Sequence, residues 1–190
     1  MLSEISRIGH WVDLDKLDES SVVVDAGACF GEFIDRIREK IYCRIIAVEP
    51  NPFPIEHLAE KGVDILEGAL VGRSMPKEMT FYDYPQKERG NLFSLYPNSN
   101  ENYSVMTITL DDIFKKTDKI DLLKLDIEGA EKDLIETMTQ KDADKIGQIS
   151  MEVHSNCDIN QLKEQLEKLG YKVELLPRSE LYACHSNESR

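Results

Sequence analysis

The strongest constraint on this chain is the alternation of short β-branched apolar runs with segments of helical period. "SVVVDAG" (21–27) and "RIIAVEP" (44–50) read as buried strands. Between them Phe30, Phe33, Ile34, Ile37 and Ile41 recur at three- and four-residue steps, which predicts an amphipathic helix. A strand, a helix and a second strand of this kind form a parallel crossover unit, and the pattern continues along the chain. A short helix around Ile55, Leu58 and Ala59 ends at Gly62, and "VDIL" (63–66) is a third strand. "IDLLKLD" (120–126) and "GQISMEVH" (147–154) are the fourth and fifth, separated by a helix carrying Ala130, Leu134 and Met138 on one face. Ile159, Leu162, Leu166 and Leu169 mark a helix that stops at Gly170, and "YKVELL" (171–176) with "ELYAC" (180–184) suggests a closing hairpin. "MTFYDYP" (79–85) and "NLFSLYP" (91–97) read as extra strands or an irregular excursion, whose Tyr82, Tyr84, Phe93 and Tyr96, with Tyr103, either wall an acceptor site or pack an edge strand. Leu2, Ile5, Ile8 and Val12 predict one short helix covering the sheet.

With 190 residues, 41% of them hydrophobic and 31% charged, the chain suits one domain with a full core. Its 23 Lys and Arg against 36 Asp and Glu give a net charge of −13. Such a surface repels phosphate backbones and anionic lipid, so no nucleic acid and no membrane partner is expected. No run approaches 18 apolar residues and no leader pattern is present, which predicts a cytoplasmic protein. Cys29, Cys43, Cys157 and Cys184 form no C-x-x-C pair and are expected to be reduced thiols.

The candidate chemistry lies where strands end. Asp25, Gly27 and Gly31 form D-x-G-x-x-x-G at the first strand-to-helix turn, where glycines allow a ligand to approach the backbone. Cys29 breaks the dinucleotide fingerprint, and the phosphate-binding G-x-x-x-x-G-K-[ST] is absent. Glu49, ending the next strand, can accept both hydroxyls of a ribose. An acid inside the loop disfavours pyrophosphate and favours a cationic sulfonium, hence S-adenosylmethionine over NAD. Asp126 and Glu128 follow the fourth strand, and Glu152 and His154 share one face near the end of the fifth. These four are the catalytic candidates. Glu131 is contested between the site and helix-dipole stabilisation, and Lys124, on the face of Asp126, reads as the neutraliser of a neighbouring acid. A divalent metal is possible because carboxylates suit Mg²⁺, but no dense ligand cluster is visible, so no metal ligands are assigned.

"VVDAGACFGEF", "IIAVEPNP", "LEGALVG", "VMTITLDDIF", "LLKLDIEGAE" and "ISMEVH", over residues 22 to about 154, resemble the FkbM-type S-adenosylmethionine-dependent methyltransferases. The resemblance implies an α/β, Rossmann-like, doubly wound and mostly parallel seven-stranded sheet with an antiparallel closing strand. The whole of 1–190 is then one class I methyltransferase-like domain, with 1–20 a short N-terminal cap and 185–190 a fraying tail. It further implies methyl transfer to a hydroxyl of a small-molecule or carbohydrate acceptor. Asp25, Gly27, Ala28, Cys29 and Gly31 would hold the methionine part of the cofactor, Glu49, Pro50 and Asn51 the ribose side, and Glu67, Gly68 and Ala69 the adenine border. Cys29 stands where the family usually has Asn, and only 24 residues precede Asp25, without a substrate-covering extension. Those departures keep a second reading open, a non-catalytic binding module that retains the fold.

Overall fold

A computed structural model describes residues 5–83, 90–91 and 101–185. Its centre is a seven-stranded sheet built from β3 (Val22–Ala26), β4 (Arg44–Glu49), β5 (Asp64–Glu67), β10 (Ile120–Leu125), β11 (Ile146–Glu152), β12 (Tyr171–Leu176) and β13 (Glu180–His185). The spatial order is β12-β13-β11-β10-β3-β4-β5. All neighbouring pairs are parallel except those of β13, which runs antiparallel to both β11 and β12. The doubly wound expectation, antiparallel closing strand included, holds.

Period-two alternation divides the core. Val22, Val24 and Ala26 face one layer, with Leu134, Ile135, Leu162 and Leu166, while Val23 faces the other, with Phe33, Ile34, Ile37 and Leu58. The first layer contains α4 (Glu131–Thr137) and α6 (Ile159–Lys168); the second contains α1 (Glu32–Arg38) and α2 (Ile55–Glu60). Because both sheet faces are covered, the strands are apolar throughout, which is why they were readable as continuous runs. Each fully buried Ile or Leu contributes roughly 1.5–3 kcal/mol.

Short helices α3 (Leu110–Ile113) and α5 (Gln140–Ala143) each begin with a Thr capping box, at Thr109 and Thr139. A second sheet, in the order β6-β9-β7-β8, is formed by β6 (Ala69–Leu70), β7 (Glu78–Asp83), β8 (Gly90–Asn91) and β9 (Glu101–Ile108). It confirms additional strands in the middle region, although Tyr84, Phe93 and Tyr96, most of "NLFSLYP" and the tail beyond His185 lie outside the described residues.

The N-terminal expectation is corrected. Ile5, Ile8 and Val12 do not line a helix: Ser6–Ile8 (β1) and His10–Val12 (β2) form an antiparallel hairpin turning at Gly9, whose φ is 95°. That left-handed turn breaks a helix whose apolar spacing was otherwise acceptable. Sheet contacts hold the hairpin in place. Asp13 N donates to Gln148 Oε1 and Gln148 Nε2 donates back to the Asp13 carbonyl, both at 3.1 Å. Arg7 pairs with Glu180 at 2.8 Å. The consequence is that His10 is brought over the carboxyl ends of β10 and β11.

Candidate active site

A cavity of about 590 Å³ opens at the carboxyl ends of β3, β4, β10 and β11, a size ordinary for a small-molecule site. Its lining includes Gly27, Ala28, Cys29, Glu49, Pro50, Asn51, Ala69, Asp126, Glu128, Glu152 and His154. Eleven of the fifteen sequence candidates therefore converge. Asp25, Gly31, Glu67 and Gly68 lie off the lining.

The glycine loop is shaped by close backbone packing. Gly27 has φ 73°, its N–H donates to the Val48 carbonyl at 2.9 Å, and a Cβ there would lie 1.9 Å from the Asp126 carbonyl oxygen. Cys29 also has positive φ, and Gly31, the N-cap of α1, sits at 76°. Glu49 locks this loop to the next one. Its Oε2 accepts from Cys29 N and its Oε1 from Asn51 N, each at 2.8 Å. Glu49 is only 5% exposed, and burial, against the pull of these two N–H groups, raises its pKa to about 7.

Asp25 supports the loop from beneath. It is fully buried, 3.0 Å from Lys124 Nζ in an ion pair, while Lys124 directs its hydrogen bonds to the carbonyls of Gly27 (2.8 Å) and Ala26 (3.2 Å). Burial pushes the Asp25 carboxyl upward while Lys124 pulls it down. Burial also opposes charge on Lys124, but Asp25 and Asp126 outweigh it and raise the ammonium pKa. Lys124 thus neutralises an acid as expected, but across the strand pair to Asp25, because parallel register sets the two side by side.

On the opposite rim His154, two residues past β11, is flanked by carboxylates. Nδ1 lies 2.8 Å from Glu131 Oε1, Nε2 lies 3.2 Å from Glu128 Oε2 and 3.8 Å from Asp126 Oδ1. Burial alone would lower its pKa, but Glu128 and Glu131 raise it to about 10, so the ring is an imidazolium at neutral pH. Glu131 is fully buried and also accepts from Gly129 N at 3.2 Å. Glu128 occupies left-handed backbone, φ 52°, at a cost on the order of 1 kcal/mol or more. Glu152 is raised by burial and by Asp126.

Sequence reasoning missed His10, Phe30, Phe33 and Phe81, which also line the cavity. His10 stacks edge-on against Phe33 at 5.7 Å, and burial, then Lys124, lowers its pKa to about 4, so it is neutral. Two clusters emerge that linear spacing concealed: His10 with Asp126 and Glu152, and Asp126 with Glu128 and His154, the ligand-capable atoms of each lying within 4.8 Å of one another.

The family model for the methyltransferase FkbM domain matches residues 25–173. Among solved structures, a methyltransferase FkbM from Methylobacillus flagellatus KT aligns with TM-score 0.55 and 18% identity over 88% of this chain and 44% of that one. A precorrin-6y C5,15-methyltransferase from Geobacter metallireducens GS-15 aligns with TM-score 0.52 and 16% identity over 91% of this chain and 84% of that one. These likenesses concern the fold, and this chain spans under half of the FkbM structure. No curated protein matches the chain in sequence.

Proposed function

Because the chain belongs to the methyltransferase FkbM domain family, we propose that it is an S-adenosylmethionine-dependent O-methyltransferase acting on a hydroxyl of a small molecule, sugar or glycan. The observation that carries this reading is one cavity with two chemically distinct walls. On one wall the glycine loop and Glu49 are tied together by backbone N–H bonds; on the other Asp126, Glu128, Glu152 and His154 converge.

The chemistry of the walls fits the cofactor. Glu49 already has both oxygens oriented by N–H donors, and each retains a lone pair for a ribose hydroxyl. Anionic side chains around the cavity favour a sulfonium, and Phe30 and Phe81 offer apolar surface. Asp25 acts from below, through Lys124 and the loop carbonyls. S-adenosylmethionine, when bound, supplies an electrophilic methyl group.

Aligning the acceptor oxygen with that methyl contributes several kcal/mol through positioning alone. The acceptor hydroxyl would have to give up its proton as its oxygen takes the methyl and the methyl–sulfur bond breaks, and a carboxylate of Asp126 or Glu152 would receive it. Burial and Asp126 raise the Glu152 pKa, which strengthens that carboxylate as a base. His154, protonated, orients Glu128 and Asp126 instead of accepting the proton. A cytoplasmic setting belongs to the same proposal, supported by four free cysteines; no helix among the described residues is long and apolar enough to cross a membrane.

The test is calorimetric binding of S-adenosylhomocysteine, followed by mass-detected methylation of matched hydroxyl and amine acceptor panels. Binding with hydroxyl products that disappear in Asp126→Asn supports the reading. Products on amines alone would refute O-transfer, and no binding at millimolar ligand would refute the cofactor assignment.

A further inference from the structure

We propose that His10, Asp126 and Glu152 form a binding site for a divalent first-row metal ion at the cavity mouth. The three residues come from the N-terminal hairpin and the ends of β10 and β11, and one ligand atom from each lies within 4.8 Å of the others. In a tetrahedral Zn²⁺ site, with bonds of about 2.1 Å, ligand atoms stand roughly 3.4 Å apart, so three atoms already within 4.8 Å of one another close on a cation by side-chain rotation.

Two observations beyond proximity point to an occupant. His10 is 8% exposed and lines the cavity, yet its Nδ1 has no hydrogen-bond partner among the described residues. A buried imidazole normally satisfies its ring nitrogens, and leaving one unpaired costs about 1–3 kcal/mol. The local charge is also unbalanced. Among the described residues neither Asp126 nor Glu152 forms an ion pair with Lys or Arg; Arg7 is engaged by Glu180 and Lys124 by Asp25. His154 contacts Glu131 and Glu128, lies 3.8 Å from Asp126 and also favours the Glu152 carboxylate through space, so one imidazolium faces four carboxylates.

The ligand set selects the ion. One imidazole with two carboxylates suits Mn²⁺, Fe²⁺ or Zn²⁺ better than the all-oxygen preference of Mg²⁺ or Ca²⁺. Three protein ligands leave coordination positions open toward the cavity, the arrangement of catalytic and not structural sites. An acceptor hydroxyl reaching those positions would be acidified. That role, unlike the binding itself, rests on the methyl-transfer reading.

The experiment uses the full chain, freed of metal by chelation and without methyl donor. Mn²⁺ is titrated and the free-ion electron paramagnetic resonance signal recorded, with Zn²⁺ as competitor. Saturable binding of one equivalent is expected, weakened tenfold or more in both His10→Phe, which keeps the ring packing on Phe33, and Glu152→Gln. Glu152→Gln is near-isosteric and carries the test if His10→Phe fails to fold. No saturable binding at millimolar Mn²⁺ or Zn²⁺ overturns the proposal. So does binding that survives both substitutions but is lost in Glu128→Gln, because the ion then belongs to the His154 cluster. S-adenosylhomocysteine affinity, measured separately on the same samples, separates the two ideas: its loss with metal binding intact refutes the cofactor reading alone.

Discussion

Replacing Glu49 by Gln tests the ribose assignment and its electrostatics together. Both Glu49 oxygens accept backbone N–H groups, from Cys29 and Asn51. An amide must present its NH₂ to one of those donors, which costs about 1–3 kcal/mol. Against this, Gln removes a buried charge. A carboxyl titrating at about 7 in place of its ordinary 4.5 is disfavoured, once ionised, by on the order of 3 kcal/mol. Because the folded-state pKa is raised, that cost is absent below the unfolded value and develops as the pH rises from there to about 7. Thermal stability near pH 8 is therefore little changed in the variant, two opposed terms of similar size nearly cancelling.

Affinity separates them. Ribose hydroxyls donate to the carboxylate, so ligand binding requires the ionised form. About a tenth of Glu49 is ionised at pH 6 and about nine tenths at pH 8, so the Kd for S-adenosylhomocysteine falls up to roughly tenfold over that interval. In Glu49→Gln the slope vanishes and the affinity at pH 8 drops about 10- to 150-fold, the worth of hydrogen bonds to a charged acceptor at about 1.5–3 kcal/mol. His154, near 10, and His10, near 4, titrate outside the window. Isothermal titration at several pH values measures all of this. A Gln variant that retains the slope, or binds as tightly as the parent at pH 8, refutes the assignment.

Other perturbations address the scaffold. Gly27→Ala should destabilise by at least about 2 kcal/mol more than Gly62→Ala: both residues have positive φ, but only the Gly27 Cβ meets backbone, at 1.9 Å, whereas Gly62 has open space; equal losses in urea unfolding would show that the loop can yield. Lys124→Met strands Asp25 in the core and should cost about 3–5 kcal/mol, with Asp25→Leu added to it restoring part of the loss; an additive double variant in denaturant melts would mean the two do not act as a pair. His154 has a folded pKa of about 10 against an ordinary 6.5, so its stabilisation is complete below the unfolded value and is lost as pH climbs toward 10. Unfolding stability should fall more steeply from pH 7 to 10 in the parent than in His154→Gln, and identical profiles would remove the imidazolium.

How far the sequence spoke depended on whether the determinant was local. Val22, Val24 and Ala26, buried on one face, and Val23, buried on the other, leave an apolar run that any reader finds. Glu49 was legible because a strand end fixes its place relative to the loop 20 residues earlier. Lys124 and Asp25 were each visible, but their pairing is set by the register of two strands about a hundred residues apart. His10 itself carried no signal. It sits in a segment whose apolar spacing suits a helix, and only Gly9 and the distant Gln148 reveal that the chain turns back and delivers an imidazole to the cavity. The clue available beforehand was Gly9 itself, a residue that interrupts helices and permits reversals.

Glu131 shows how magnitudes decide between two readings that sequence leaves level. It opens α4, where a carboxylate gains about 0.3–1 kcal/mol from the helix dipole when exposed. Glu131 is not exposed, and stripping water from a carboxylate costs several kcal/mol, more than the dipole returns. Something else must hold it there. The geometry supplies His154 Nδ1 at 2.8 Å, with Gly129 N at 3.2 Å as a second donor. Glu131 is thus a positioning residue: it fixes the imidazolium, which fixes Glu128 and stands beside Asp126. Glu131→Gln should accordingly lower the rate of methyl transfer and flatten its pH dependence while leaving S-adenosylhomocysteine affinity within about twofold, because Glu131 does not line the cavity. A variant that loses stability yet keeps the parent kcat and pH profile would return Glu131 to a purely structural role.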